Sequence, residues 1–182
     1  MNRVTRYHPV LVTLHWLLAL LIFSALGVGF FLLRTMPNTD THKIDILRVH
    51  MAGGMLILAL MLIRYFVRLI TKKPALPSTG HRAVDRLVPW FHASFYALVV
   101  AIVGSGFATG WFAHLPEIVF AHSGDPLPAD FSVFPTFVLH AWLTLLLTIF
   151  IVIHIGGAIY HQFVAKNHLM RRIGFGARFA KN

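Results

Sequence analysis

Long apolar stretches alternate with short polar ones along this chain. No Asp, Glu, Lys or Arg occurs between Pro9 and Leu33, Val49 and Ile63, Leu87 and Ala113, or Phe131 and Ala165. A helix rises about 1.5 Å per residue, so about 20 apolar residues cross the ~30 Å hydrocarbon core of a bilayer. With charged side chains snorkelling from the ends, each run reaches that length. The pattern predicts four transmembrane helices, near residues 9–33, 46–70, 88–112 and 135–164. The expected fold is an all-α, integral membrane four-helix bundle that forms a single domain over 1–182. Pro74 and Pro77 mark a linker between the second and third helices, and "SGDPLPADFSVFP" is the longest irregular stretch.

Composition agrees. Of 182 residues 57% are hydrophobic and 12% charged, where a soluble domain carries about a quarter charged. The absence of cysteine excludes disulfides, iron–sulfur clusters and thioether-linked haem. The net charge of +10 is segregated. Thirteen of the sixteen basic residues (Arg3, Arg6, Arg64, Arg68, Lys72, Lys73, Arg82, Arg86, Lys166, Arg171, Arg172, Arg178, Lys181) lie at the N-terminus, around the second loop or in the C-terminal tail. Only Arg34, Lys43 and Arg48 fall on the other side. The positive-inside rule then places both termini in the cytoplasm. Topology and anionic lipid account for the charge, and no nucleic-acid partner is needed. Trp16 and Trp90 fall at the inner interface, Trp111 and Trp142 at the outer one. The first helix starts like a signal peptide, but its run is too long and no small-x-small cleavage site follows "GVGFFLLRTMP". It is expected to remain as a mature helix.

Twelve histidines carry the candidate chemistry. His8, His42, His81, His114, His122 and His168 lie at helix ends or in loops, where a solvated imidazole needs no further account. His15, His50, His92, His140, His154 and His161 lie within or near the spans, where an ionisable group marks a site or an internal partner. On the fourth helix His140, His154 and His161 are fourteen and seven residues apart. Seven residues fall about 20° short of two full turns, so the three share nearly one face. His15 and His154 fall at one depth, near the inner side, and His50 and His140 at another, near the outer side. Two pairs at two depths suit two stacked haems, each iron held by an imidazole on either side. His92, close to the start of the third helix, competes with His15 for the inner place.

Smaller features bear on the same reading. Gly53 and Gly54 follow His50, and Gly156 and Gly157 follow His154; glycine there leaves room for a flat macrocycle or allows close helix packing. Gly106-x-x-x-Gly110 fits packing. His161 lies ~10 Å beyond His154 along the helix, too far to bind the same iron, and sets an imidazole donor or acceptor near the inner interface. Arg64, fourteen residues after His50, reaches the inner level and brings a fork of N–H donors there. Both residues also suit the plainer role of interfacial anchors. Arg34, Lys43 and Arg48 form either a cationic rim for an anionic donor or a solvated loop offset by Asp40 and Asp45.

The sequence resembles the prokaryotic cytochrome b561 family, the group that includes nickel-hydrogenase cytochrome b subunits. The resemblance rests on "RYHPVLVTLHW", "RVHMAGGMLILALMLIRYFVRL", "FHASFY", "LHAWLTLLLTIFIVIHIGGAIYHQF" and the tail "HLMRRI". It implies a dihaem b-type cytochrome of the bacterial inner membrane that exchanges electrons with quinone, ubiquinone above all; with that partner, His161 is expected to contact the quinone near the inner interface, and Arg64 to pair a haem propionate or line the quinone pocket. His15, His50, His140 and His154 match the axial positions, and two haem b per chain are implied. Gln162 stands where the family often has a second histidine, and Asn167-His168 where an aspartate is common, so details of the inner site depart. The expected activity is electron transfer between a periplasmic donor and quinone, in the manner of a superoxide:ubiquinone oxidoreductase. The alternatives are a haem-bearing anchor of a larger oxidoreductase such as a hydrogenase, and a histidine-based proton or metal transporter. The spans hold no intramembrane carboxylate, which weighs against the transporter.

Overall fold

The computed structural model describes residues 4–74, 82–166 and 169–176, apart from the side chains of 82–84 and 169. Pro77, His81, Asn167, His168 and the basic residues Arg3, Arg178 and Lys181 lie outside the described residues. Helix α1 spans Pro9–Gly27. Pro9 suits its first turn, where no N–H is required, and the His8 side chain accepts from the Val10 N–H. The helix widens into a π-helical segment, Val28–Leu33, in which the Arg34 N–H donates to the Gly29 carbonyl at 3.1 Å. Then follow α2 (His42–Ile70), α3 (Arg82–Phe112), the short α4 (Leu115–Val119) and α5 (Pro135–Phe163). Among the described residues there is no strand, and four helices are long and apolar enough to cross a membrane.

The expected spans hold, with two corrected starts. Helix α2 begins at His42 rather than near 46, and α3 at Arg82 rather than near 88. Reading apolar runs alone stops each helix at its first charges, but a helix continues through the interface when its end is satisfied. The Asp40 carboxylate accepts the His42 N–H at 2.9 Å, and Asp45 lies in the first turn, where a negative charge suits the helix dipole. Pro89 invites a start at 88, since proline favours the first turn; α3 runs through it.

Packing is uneven. α1 lies on α2, α2 on α3, and α3 on α5. Leu18, Ile57, Met61 and Val99 knit α1, α2 and α3 together inside the bundle. A second cluster closes one end, with Leu47, Ala113, Leu115, Ile118, Val119 and Leu127 packed among Leu33, Met51, Phe131 and Phe134. Helix α5 buries only Leu147. It leans on α3 and stands off from α1 and α2. Large apolar side chains such as Leu20, Phe23, Phe66, Phe107 and Val152 face outward, as lipid contact requires.

The segments nearest the two termini, around Tyr7 and Arg172, meet at the opposite end. The Tyr7 N–H donates to the Arg172 carbonyl at 3.0 Å, and the Trp16 indole N–H to the Ile173 carbonyl at 3.1 Å. The Arg6 guanidinium donates to the carbonyls of Gly174 and Phe175. We call this the termini end, and the other the far end.

Candidate functional site

The gap between α5 and its neighbours is bridged by imidazoles. His15 on α1 faces His154 on α5, with ring centres 6.2 Å apart and planes at 65°. His50 on α2 faces His140 on α5, at 6.3 Å and 75°. The sequence grouped these four residues into the same two pairs. The pairs are fourteen residues apart on α5, or about 21 Å along its axis.

Each pair has its own surroundings. The His140 Nδ1 lies 2.9 Å from the Ile102 carbonyl and 3.3 Å from the Ser105 hydroxyl. A carbonyl only accepts, so Nδ1 carries the proton and Nε2 keeps its lone pair. A side chain at Gly106 would meet that imidazole at 3.1 Å, so glycine lets the ring lie against α3. Gly29 does the same more loosely for His50, whose Cε1 is 3.7 Å from where a Cβ would stand. The His50 Nδ1 is buried without a hydrogen-bond partner. At the termini end, Phe95 lies 5.5 Å from His154, and Phe91 stacks on Phe150 at 5.0 Å beside it. His92 is also 5.5 Å from His154, its Nδ1–H donating to the Val88 carbonyl at 2.8 Å.

The glycines divide differently from expectation. A Cβ at Gly53, Gly54, Gly156 or Gly157 would have nothing within 4 Å, so these four do not serve close helix packing. Gly106 and Gly110 do face neighbours, but Gly106 meets the His140 ring and Gly110 the Met51 methyl rather than helix backbone.

Arg64 belongs to the termini end. Its Nη1–H donates to the Tyr96 hydroxyl, its charge lies 5.7 Å from that ring's centre, and its Nε has no partner. It is near enough to act electrostatically on His15, His92 and His154. Tyr96 was not legible as part of the site, although it lies one helical turn after His92 on α3. His161 occupies the last turn of α5, its ring 5.7 Å from that of Tyr160. The buried Gln162 Oε1 has no partner.

At the far end the cationic rim requires correction. Lys43 is buried, with 5% of its surface exposed. Its ammonium donates to the Met36 carbonyl at 2.6 Å and the Asn38 Oδ1 at 2.7 Å, while the Asn38 amide donates to the Pro128 and Ala129 carbonyls. Lys43 thus holds Asn38, which ties two far-end loops together, and is neither a steering charge nor a solvated one. Arg48 donates from Nε to the Val119 carbonyl at 2.8 Å and pairs with Asp45 at 2.7 Å, with its Nη2 3.2 Å from His122. Of the three cations only Arg34 is simply exposed.

Four apolar helices with imidazoles paired across them at two levels describe the class of membrane b-type cytochromes. The family comparison is specific: the prokaryotic cytochrome b561 family matches residues 6–176, and the chain belongs to that family. It is 26% identical to "Cytochrome b561 homolog 2" of Escherichia coli (strain K12), over 94% of this chain and 93% of the relative. Membership makes it a multi-pass bacterial membrane protein of electron transfer, with b-type haem as the group the family binds.

Proposed function

We propose that the protein holds two b haems, one between His15 and His154 and one between His50 and His140, and passes electrons from a donor at the far end to quinone at the termini end. The spacing of the imidazoles carries the reading. A metal–imidazole bond is about 2.0–2.1 Å and the bound nitrogen lies about 1.1 Å from its ring centre, so two imidazoles trans across one ion sit about 6.3 Å apart. The observed 6.2 and 6.3 Å match that span. Among the described residues no group of three or more His, Cys, Asp or Glu converges, so each pair would hold a metal that arrives within its own cofactor. The open space at Gly53, Gly54 and Gly157, each within about 60° of its pair's histidine around the helix, suits a macrocycle, while Gly156 lies about 200° round from His154. When bound between these histidines, haem would supply one-electron chemistry, which suits an electron relay.

The residues do the holding. Ile102 and Ser105 fix the His140 tautomer, the role outer-shell partners play for metal-bound imidazoles. His92 lies at 5.5 Å from His154, too close to oppose it across an iron, which favours His15 as the axial partner. His161 offers quinone a hydrogen-bond donor or acceptor. With the termini end in the cytoplasm, the donor enters from the periplasmic side. Superoxide is the donor the resemblance suggests; with Lys43 buried and Arg48 paired, the steering it needs falls to Arg34 and to whatever charge Arg48 retains. Cytochrome reduction by a superoxide generator, abolished by superoxide dismutase, tests it.

The decisive experiment is a pyridine haemochrome count with a reduced-minus-oxidised spectrum, for which two low-spin b haems per chain are expected. A count of zero after haem-supplemented expression sinks the reading, and a count of one sinks the two-pair assignment. If His92→Ala loses a haem while His15→Ala keeps both, His92 takes the axial place.

A further inference from the structure

Among the described residues Arg64 is a cation without an anion. Its guanidinium stays charged at any physiological pH, yet it stands six residues inside the end of α2, between helices, with Nε unpartnered. Its described hydrogen bond goes to a neutral phenol, that of Tyr96. The groups acting on it are the phenols of Tyr96 and Tyr7 and a second cation, Arg68. The chain has six acidic residues: Asp40, Asp45, Asp85, Glu117, Asp125 and Asp130. Five belong to the far end, and Asp85, at the start of α3, is not among the groups acting on Arg64. An uncompensated charge at this depth is costly, and natural proteins pair it.

The geometry points to what completes the pair. Tyr96 occupies Nη1 alone, so Nε–H and the neighbouring Nη2–H remain along one edge of the fork, the edge that takes a carboxylate side-on. We propose that Arg64, held in orientation by Tyr96, clamps a carboxylate that arrives with the cofactor, a propionate of the haem between His15 and His154. This rests on the two-haem reading. A quinone carbonyl is neutral and leaves the cation uncompensated, whereas a propionate cancels it. Arg64 is then a cofactor-binding residue, Tyr96 a positioning residue, and the quinone contact stays with His161.

Redox titration of the full-length protein in nanodiscs tests this without recourse to turnover. Arg64→Gln removes a positive charge that favours the reduced haem, so the potential of one haem falls and that of the other stays. The expected fall is about tenfold in the reduced-to-oxidised ratio at fixed potential, or about 59 mV for a one-electron couple. Arg64→Lys keeps the charge and holds the potential near the parental value. Tyr96→Phe shifts the same haem in the same direction by less. Loss of that one haem in Arg64→Gln, with Tyr96→Phe still giving its shift, also supports the clamp. Two haems at parental potentials in Arg64→Gln overturn it, and a slowed quinone reduction in that variant then assigns Arg64 to the quinone. If Tyr96→Phe shifts neither haem, the proposal fails as well. A parental protein with no haem between His15 and His154 fails at the underlying reading, which the haem count reveals first.

Discussion

The two ends of the bundle solve different problems. At the far end, His50 and His140 sit behind a cap with its own hydrophobic cluster, a buried lysine whose ammonium donates to Met36 and Asn38, and an arginine tied to Asp45 and Val119. At the termini end, His15 and His154 sit among Phe95, His92 and Tyr96, beside a guanidinium with an open edge. One end is capped by the protein's own bonded polar groups, although the His50 Nδ1 beneath the cap has no partner. The other is left for something else to complete. A cap of satisfied polar groups over apolar packing suits a cofactor shielded from water, while aromatic and polar groups at helix ends suit exchange with a lipid-borne partner.

The largest effects come from the imidazoles. His50→Ala or His140→Ala should remove the far-end haem and leave the other, halving the haem per chain; His15→Ala or His154→Ala should do the reverse. Each member of a pair must lose the same spectral component. A variant that loses both components, or a pair whose members lose different ones, breaks the division of the molecule into two ends.

Next comes the proposed exchange with quinone. His161→Ala should retain both haems yet slow ubiquinone reduction by the pre-reduced cytochrome by about 10-fold or more, the range in which a positioned hydrogen-bonding and proton-exchanging group counts. A parental rate with intact haem content makes His161 an interfacial anchor.

The cap comes third. Lys43→Met keeps the stem's volume but removes the ammonium, leaving the Met36 carbonyl and the Asn38 Oδ1 without their donor. An unsatisfied buried polar group costs about 1–3 kcal/mol, so the variant should lose that much stability. In thermal melts followed by haem absorbance, the component lost in His50→Ala should go first. An equal loss of both components makes Lys43 a support for the whole bundle rather than for its far end.

Much of this was legible from spacing. The four spans follow from charge-free runs, and the pairing of His15 with His154 and of His50 with His140 follows from helix direction and depth. What escaped has physical causes. Hydropathy registers depth but not side-chain direction, so Lys43, one residue into α2, read as a loop cation although it turns inward to hold Asn38, which ties two loops together. Tyr96 looked like one aromatic among many because its role depends on Arg64, thirty-two residues away. The π-helical widening after Gly27 leaves no mark in an apolar run, yet it belongs to the stretch that carries Gly29 past His50. Gly106 was read as a helix contact because a missing side chain does not say which neighbour needs the room; here it is the His140 ring.

The smallest effect sharpens the contrast most finely. Asp45 and Arg48 pair at 2.7 Å with side chains 68% and 32% exposed. Such a pair contributes about 0–1 kcal/mol, so Asp45→Asn should leave the melting profile within that margin. Its electrostatic consequence is of another kind. Arg48 keeps its hydrogen bond to the Val119 carbonyl and so stays in place, but its charge is no longer offset. If the far end admits an anionic donor, its on-rate in Asp45→Asn should rise by less than about tenfold at low ionic strength, with the gain fading as the Debye length shrinks to about 8 Å at 0.15 M salt. Arg48→Gln should lower the same rate and flatten its salt dependence. If neither variant changes the salt dependence of cytochrome reduction, the far end is electrostatically closed. Arg48 is then part of the cap, and donor entry falls to the uncapped rim near Arg34.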